Sequence, residues 1–223
     1  MITEKIRSRF VAVTNLLHRF GRLGRDTRGL ALTEFAFAAP IFLTLVLTGL
    51  ELSNLALAHL KISQMAMTVA DNAGRITGGL RETDIYEVFA SAEYTGDGLD
   101  FEPHGRLILS SLQHNDATDE DEGQTIVWQR CWGNDKTIRP AYGKEGDGKN
   151  DDSLKDGLGA GTSKITALKD TAVMFVEVTY HYQPLVSTAF FTPPTIRYES
   201  AFNTRAGKND RPSKVPGVDE LNC

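Results

Sequence analysis

The sequence predicts an α+β fold in which one long N-terminal helix, half membrane span and half support, carries a small antiparallel sheet. Three observations predict it. Residues 35–50 carry no charge, the apolar spacing of a helix continues beyond them to Val69, and four later stretches have the length and composition of strands.

The uncharged stretch decides the first element. At about 1.5 Å per residue, residues 35–50 would cover roughly 24 Å and residues 30–50 roughly 32 Å, against a bilayer core of about 30 Å. Phe35, Phe37, Ile41, Phe42, Leu43, Leu45, Val46, Leu47 and Leu50 supply the apolar mass. Pro40 is tolerable because membrane helices satisfy the freed carbonyl by other means. A transmembrane helix over 30–51 is therefore expected, preceded by a basic leader, 1–29, and followed by an extracytoplasmic domain, 52–223.

The same helix should run on through Leu52, Leu55, Leu60, Ile62, Met65 and Val69 to about Ala73, ending near Gly74, with a further break at Gly78 and Gly79. A second helix is expected over 83–94, capped by Thr83 or Asp84 and closed by Gly96. The strand candidates are 106–113, 124–131, 171–182 and 195–205. Alternation in the third puts Met174, Val176, Val178, Tyr180 and Tyr182 on one face. His181 then falls on the other face with Glu177 and Thr179, which reads as solvated. Residues 133–163, rich in Gly, Asp and Lys, read as a mobile loop. The part beyond the span is enough for one domain.

Charge sets the topology. Up to Gly29 there are seven Lys or Arg against Glu4 and Asp26, which leaves 17 basic against 27 acidic residues beyond it. Positive flanks of a span stay in the cytoplasm, so the acidic part lies outside. Within the leader, Ile6, Phe10, Val13, Leu17 and Phe20 have helical spacing among arginines, as in a helix lying on an anionic inner leaflet. A cleaved secretory signal fits the charged start, but its cut near Ala56 to Ala58 would sever a continuing helix. Nothing beyond the leader is basic enough to suggest nucleic-acid binding. Cys131 and Cys223, the only cysteines, would pair in an oxidising exterior and tie the C-terminal tail to the domain.

Residues 25–50, RDTRGLALTEFAFAAPIFLTLVLTGL, resemble a type IV prepilin signal, and more closely that of the TadE-like minor pseudopilins of the tight adherence (Tad, or Flp) pilus. Both the RG…EFAF…P onset, with Pro40 inside the span, and the late segment VMFVEVTYHYQPLVS, followed by a strand ending near Arg205, carry the resemblance. It implies a pilin-like fold, a cut by prepilin peptidase between Gly29 and Leu30, and Glu34 as the fifth residue of the mature chain. It also implies an inner-membrane subunit with a periplasmic C-terminal domain, serving pilus assembly and cell adhesion beside other Tad pseudopilins and the assembly machinery. Major Flp pilins commonly have Glu-Tyr where this chain has Glu34 followed by Phe35, and they are far shorter. The resemblance thus favours a minor subunit, and TadG-like relatives with an added von Willebrand type A domain look too long.

Glu34 has a physical role beside that analogy. Cleavage at Gly29 would create an ammonium at Leu30, and a neighbouring subunit's carboxylate would neutralise it within an apolar bundle. Alternatively, Glu34 sits at headgroup level near the helix start, where a carboxylate favours the helix dipole.

No catalytic centre is visible, so neither an enzyme, a cofactor nor a small-molecule substrate is expected. The segment GKEGDGKN at 143–150 has phosphate-loop spacing but ends in Asn150 instead of Ser or Thr. The acidic clusters 116–122 and 147–152 lack the EF-hand order and read as solvated turns, with calcium as the alternative. His59, His104, His114 and His181 form no HExxH, and no GxSxG occurs. Trp128 and Trp132 suit packing or a subunit contact. The alternative function is a single-span, uncleaved, membrane-anchored binding or sensor domain.

Overall fold

Helix α1, Leu30–Arg75, is unbroken for 46 residues, with Pro40 inside it. In the computed structural model, described residues are 29–77, 79–115, 123–186, 192–205, 207–208 and 211–223. The expected leader helix, Gly78 and the acidic cluster 116–122 lie outside them. Contacts divide the chain into two units, Met1–Leu50 and Glu51–Cys223.

In the first unit α1 exposes apolar side chains on every side, Phe35, Phe37, Ile41, Phe42 and Leu45 among them. The missing N–H of Pro40 removes a bond to the preceding turn, while its carbonyl accepts the Thr44 hydroxyl at 2.7 Å.

The second unit begins with a stripe of α1 that turns inward at helical spacing: Glu51, Ala58, Ile62, Met65, Val69 and Ala73 are buried. After α1 come α2 (Glu82–Thr95), the short α3 (Phe101–His104), and strands β1 (Gly105–Asn115), β2 (Gly123–Trp132), β3 (Ala172–His181) and β4 (Thr195–Asn203). The strands form one antiparallel sheet in the order β2-β1-β3-β4. All four strands and both long helices were legible; α3 was not, being one turn long.

The start of α2 differs from expectation. Its N-cap is Arg81, and Asp84 serves from within the first turn by accepting the Arg81 backbone N–H at 2.9 Å. Three residues separate the two, so a carboxylate reaching back competes with a carboxylate at the cap itself. Gly96 closes the helix as expected, its N–H donating to the Ala92 carbonyl at 2.8 Å.

One face of the sheet packs on α1 and α2. Leu107, Leu109, Trp128, Met174, Val176, Val178, Tyr180 and Tyr182 join Ile62, Met65, Ile85 and Phe89 in the main core. The inward alternation read from β3 is therefore the observed one. Trp132 packs as well, stacked on Phe101 with ring centroids 5.3 Å apart.

The opposite face corrects the sequence reading. The expected loop, 133–163, is irregular, and so are the residues after it to 170, but this stretch folds back over the sheet. Leu154, Leu158 and Ala167 pack on Leu112, Ile126, Val173 and Phe175 in a second apolar cluster. Glu177 and Thr179 are consequently buried, and only His181 keeps partial exposure. A strand alternation with polar outer positions implies water when nothing else covers them; here a long connection does.

The segment resembling a phosphate loop belongs to this covering. Its backbone is engaged by the sheet edge: the Ile126 N–H donates to the Asp147 carbonyl at 3.1 Å, and Asn115 Nδ2 donates to the Gly148 carbonyl at 2.8 Å. Gly148 has φ of +75°, and a Cβ there would lie 2.0 Å from the Gln124 carbonyl oxygen. Only glycine fits that approach.

Candidate assembly site

The first turn of α1 brings the expected processing residues to the surface. Gly29 and Leu30 are exposed, the Gly29 carbonyl accepts the Thr33 N–H at 3.1 Å, and the Thr33 hydroxyl donates to the Leu30 carbonyl at 2.8 Å. The Gly29–Leu30 peptide bond therefore sits where a helix begins. Glu34 and Phe35 follow one turn later, both exposed, and Glu34 is the sole ionisable residue from Leu30 to Leu50. A helix apolar on all sides needs lipid or other helices around it. One long apolar helix of this kind fits a single-pass membrane anchor.

Where the charge-free run ends, the chain buries a carboxylate that the sequence reading did not single out. Glu51 Oε1 accepts the Tyr182 hydroxyl at 2.5 Å, and Glu51 Oε2 accepts the Val186 N–H at 2.8 Å. Asn54 Nδ2 donates to the same tyrosine oxygen at 2.8 Å. Burial, then the hydrogen bond to Glu51, pushes the Tyr182 phenol up to about 12, so the tyrosine remains the donor. This node joins the end of β3 to α1. Glu51 was visible as the first charge after the run, but only the fold supplies its partner, 131 residues away.

A second buried charge lies on the helix face of the sheet. Arg130 donates from Nε to both carboxylate oxygens of Glu82 at 3.1 Å, with both side chains essentially inaccessible. Glu145 and Glu220 approach the same guanidinium at 3.4 and 3.8 Å. Burial opposes the Arg130 charge, but Glu82 outweighs it and holds the guanidinium above its ordinary value. Glu145 also pairs with Arg211, and Glu220 with Lys214 at 2.5 Å.

That network fastens the C-terminal tail, and a covalent bond completes it. Cys131 and Cys223 form a disulfide with Cα atoms 5.0 Å apart. The Cys131 N–H donates to the Leu221 carbonyl at 2.7 Å, and Tyr86 Oη donates to the Asp219 carbonyl at 3.1 Å.

Beneath the covering segment, a cleft of about 420 Å³ is lined by Arg139, Tyr142, Glu177, His181, Arg197 and Glu199. Glu177 and Glu199 are directly opposed across β3 and β4. Tyr142 donates its hydroxyl to Glu199, and the Ala141 N–H donates to Glu177 at 2.9 Å. Burial pushes the Glu177 carboxyl up to about 7. His181 is 3.4 Å from Asp135, which also accepts the Thr137 N–H and hydroxyl. Among the described residues, no three His, Cys, Asp or Glu side chains converge as metal ligands.

The arrangement defines a class: an exposed apolar anchor helix continuous with the support helix of a small α+β domain. A family model described as TadE-like protein matches residues 29–71 of this chain. The match opens at Gly29 and ends within α1, covering the anchor and most of the support helix. It overlaps the first of the two segments that carried the resemblance, residues 25–50, and does not extend to the late segment VMFVEVTYHYQPLVS. Neither a curated protein nor a solved structure matches the chain.

Proposed function

We propose that this chain is a structural component of a Tad pilus: a TadE-like minor pseudopilin, not an enzyme, that prepilin peptidase cuts between Gly29 and Leu30. The carrying observation is the TadE-like match that begins at Gly29, the residue directly before an apolar helix with a single carboxylate at Glu34. In this reading α1 holds the subunit in the inner membrane, the basic leader faces the cytoplasm, and the acidic domain faces the periplasm. After cleavage the Leu30 ammonium enters a helix bundle, and the Glu34 carboxylate of a neighbouring pseudopilin neutralises it. Leu30, Glu34 and Phe35 then serve assembly, while residues 35–50 retain the subunit before it is drawn into, or beneath, the filament.

The test is the N-terminal sequence and mass of the protein purified from membranes of cells with and without prepilin peptidase. A start at Leu30 that depends on the enzyme is expected. An intact leader in both strains would replace this reading with an uncleaved anchored domain. A start beyond the span would indicate a secreted one.

A further inference from the structure

The node at Glu51 controls more than the end of β3. Its carboxylate grips the backbone just after that strand, accepting from Val186 at 2.8 Å and from Leu185 at 3.4 Å. The side chains carried by this backbone turn outward: Leu185 is 68% exposed and Val186 37%. From Gln183 to Ile196 the sequence has no charged side chain, although the chain beyond Gly29 has 27 acidic and 17 basic residues. The start of this uncharged connection, at Leu185 and Val186, is thus hydrogen-bonded to one particular turn of α1.

That turn adjoins the end of the apolar run. Glu51 follows Leu50 directly, about 1.5 Å further along a helix axis, and the headgroup layer outside the hydrocarbon is roughly 5–8 Å deep on each side. If residues 30–50 span the bilayer, the amides of Leu185 and Val186 fall within that layer. Leu52, exposed by 61%, lies at the same level of α1. Glu51 itself brings no bare charge there, since it is buried and accepts from the Tyr182 hydroxyl and the two backbone amides. A stretch without charged side chains, with the Leu185 and Val186 N–H groups held by Glu51 and leucine and valine outward, is suited to insertion at a lipid interface.

We propose that the start of the β3–β4 connection lies on the bilayer surface, with Leu185 and Val186 inserted at the headgroup boundary and Glu51 as the positioning residue that holds them there. The contact gives the domain an attachment to the membrane of its own. This inference rests on the reading of residues 30–50 as a span.

The experiment uses the full chain in nanodiscs of phosphatidylethanolamine and phosphatidylglycerol, with the Cys131–Cys223 bond intact. An environment-sensitive fluorophore is attached at Leu185→Cys, at Leu45→Cys within the apolar run, or at Leu168→Cys on the exposed covering segment. Lipids spin-labelled near the headgroup or at mid-chain serve as quenchers, and aqueous iodide as the opposing one. The expected result is blue-shifted emission at position 185, quenched more by the shallow spin label than by the deep one. Position 45 should be quenched most by the deep label, and position 168 by iodide alone. If position 185 is quenched by iodide while position 45 still responds to the deep label, the span stands and this inference falls. Protection of position 185 from both iodide and lipid quenchers also overturns it, in favour of a protein partner. If neither 45 nor 185 responds to lipid quenchers, the span itself is wrong, and the inference falls with it.

Discussion

Glu177 and Arg130 show how one residue's surroundings translate into a measurable quantity. The Glu177 carboxyl, pushed up to about 7 from its ordinary value of 4.5, binds its proton more tightly in the folded than in the unfolded chain. Its contribution is therefore complete below about pH 4.5 and is lost as pH rises to about 7, a fall on the order of 3 kcal/mol. Replacing Glu177 by Gln should remove that decline, so the variant melts above the parent at pH 8 and close to it at pH 4. Thermal melts across this range check it. Glu82 matters through its pairing, because it compensates the buried Arg130 guanidinium. Glu82→Ala should cost about 3 kcal/mol, at the lower end for a broken buried pair, since Glu145 and Glu220 remain within 4 Å of Arg130. For a domain of this size the loss corresponds to roughly 10 °C in melting temperature, readable by circular dichroism.

At the scale of elements, the covering segment and the C-terminal tail matter most. Neither has regular secondary structure, yet each completes a surface that the sheet leaves open. The covering segment buries the second face through Leu154, Leu158 and Ala167. The tail lines up beside α2, where the Glu82 N–H donates to the Ser213 carbonyl at 3.0 Å, and ends in the disulfide. Closing the chain across 92 residues restricts the unfolded state by about 4–5 kcal/mol on a chain-entropy account. Reduction should therefore lower the melting temperature by about 10 °C or more, and the double replacement of Cys131 and Cys223 by Ser should melt like the reduced protein. Equal melting with and without reductant would show that the hydrogen bonds of Leu221 and Asp219 hold the tail by themselves. The helices and strands were readable because each is a local pattern, of period 3.6 or 2. The covering was not, because short apolar residues scattered among glycines and charges have no period.

For the whole molecule, the division of labour along α1 is the main consequence. Up to Leu50 the helix exposes apolar side chains, and from Glu51 onward one stripe is buried in the domain. Assembly through the first part should therefore be separable from folding of the second. Glu34→Ala is expected to leave processing at Gly29 largely intact and the domain's melting unchanged, while lowering pilus output. Electron microscopy of pili beside immunoblots of the processed subunit measures both, and unchanged piliation would refute the assembly role.

The sequence by itself determined the α+β class, the long helix, the strands, the inward face of β3 and the pairing of its only two cysteines. Each follows from composition, from a short-range period or from the counting of one residue type, and none requires knowing what approaches from afar. The stretch from Gly29 through Phe35 that resembles a processing signal could be singled out for the same reason, since it is contiguous. Tertiary structure alone decided that Glu51 meets Tyr182, that Glu82 meets Arg130, and that Glu177 lies under a lid of irregular chain rather than in water. These depend on contacts between residues 36 to 131 positions apart. The free energy of burying a charge is set by whichever group arrives beside it, and a linear pattern does not record that.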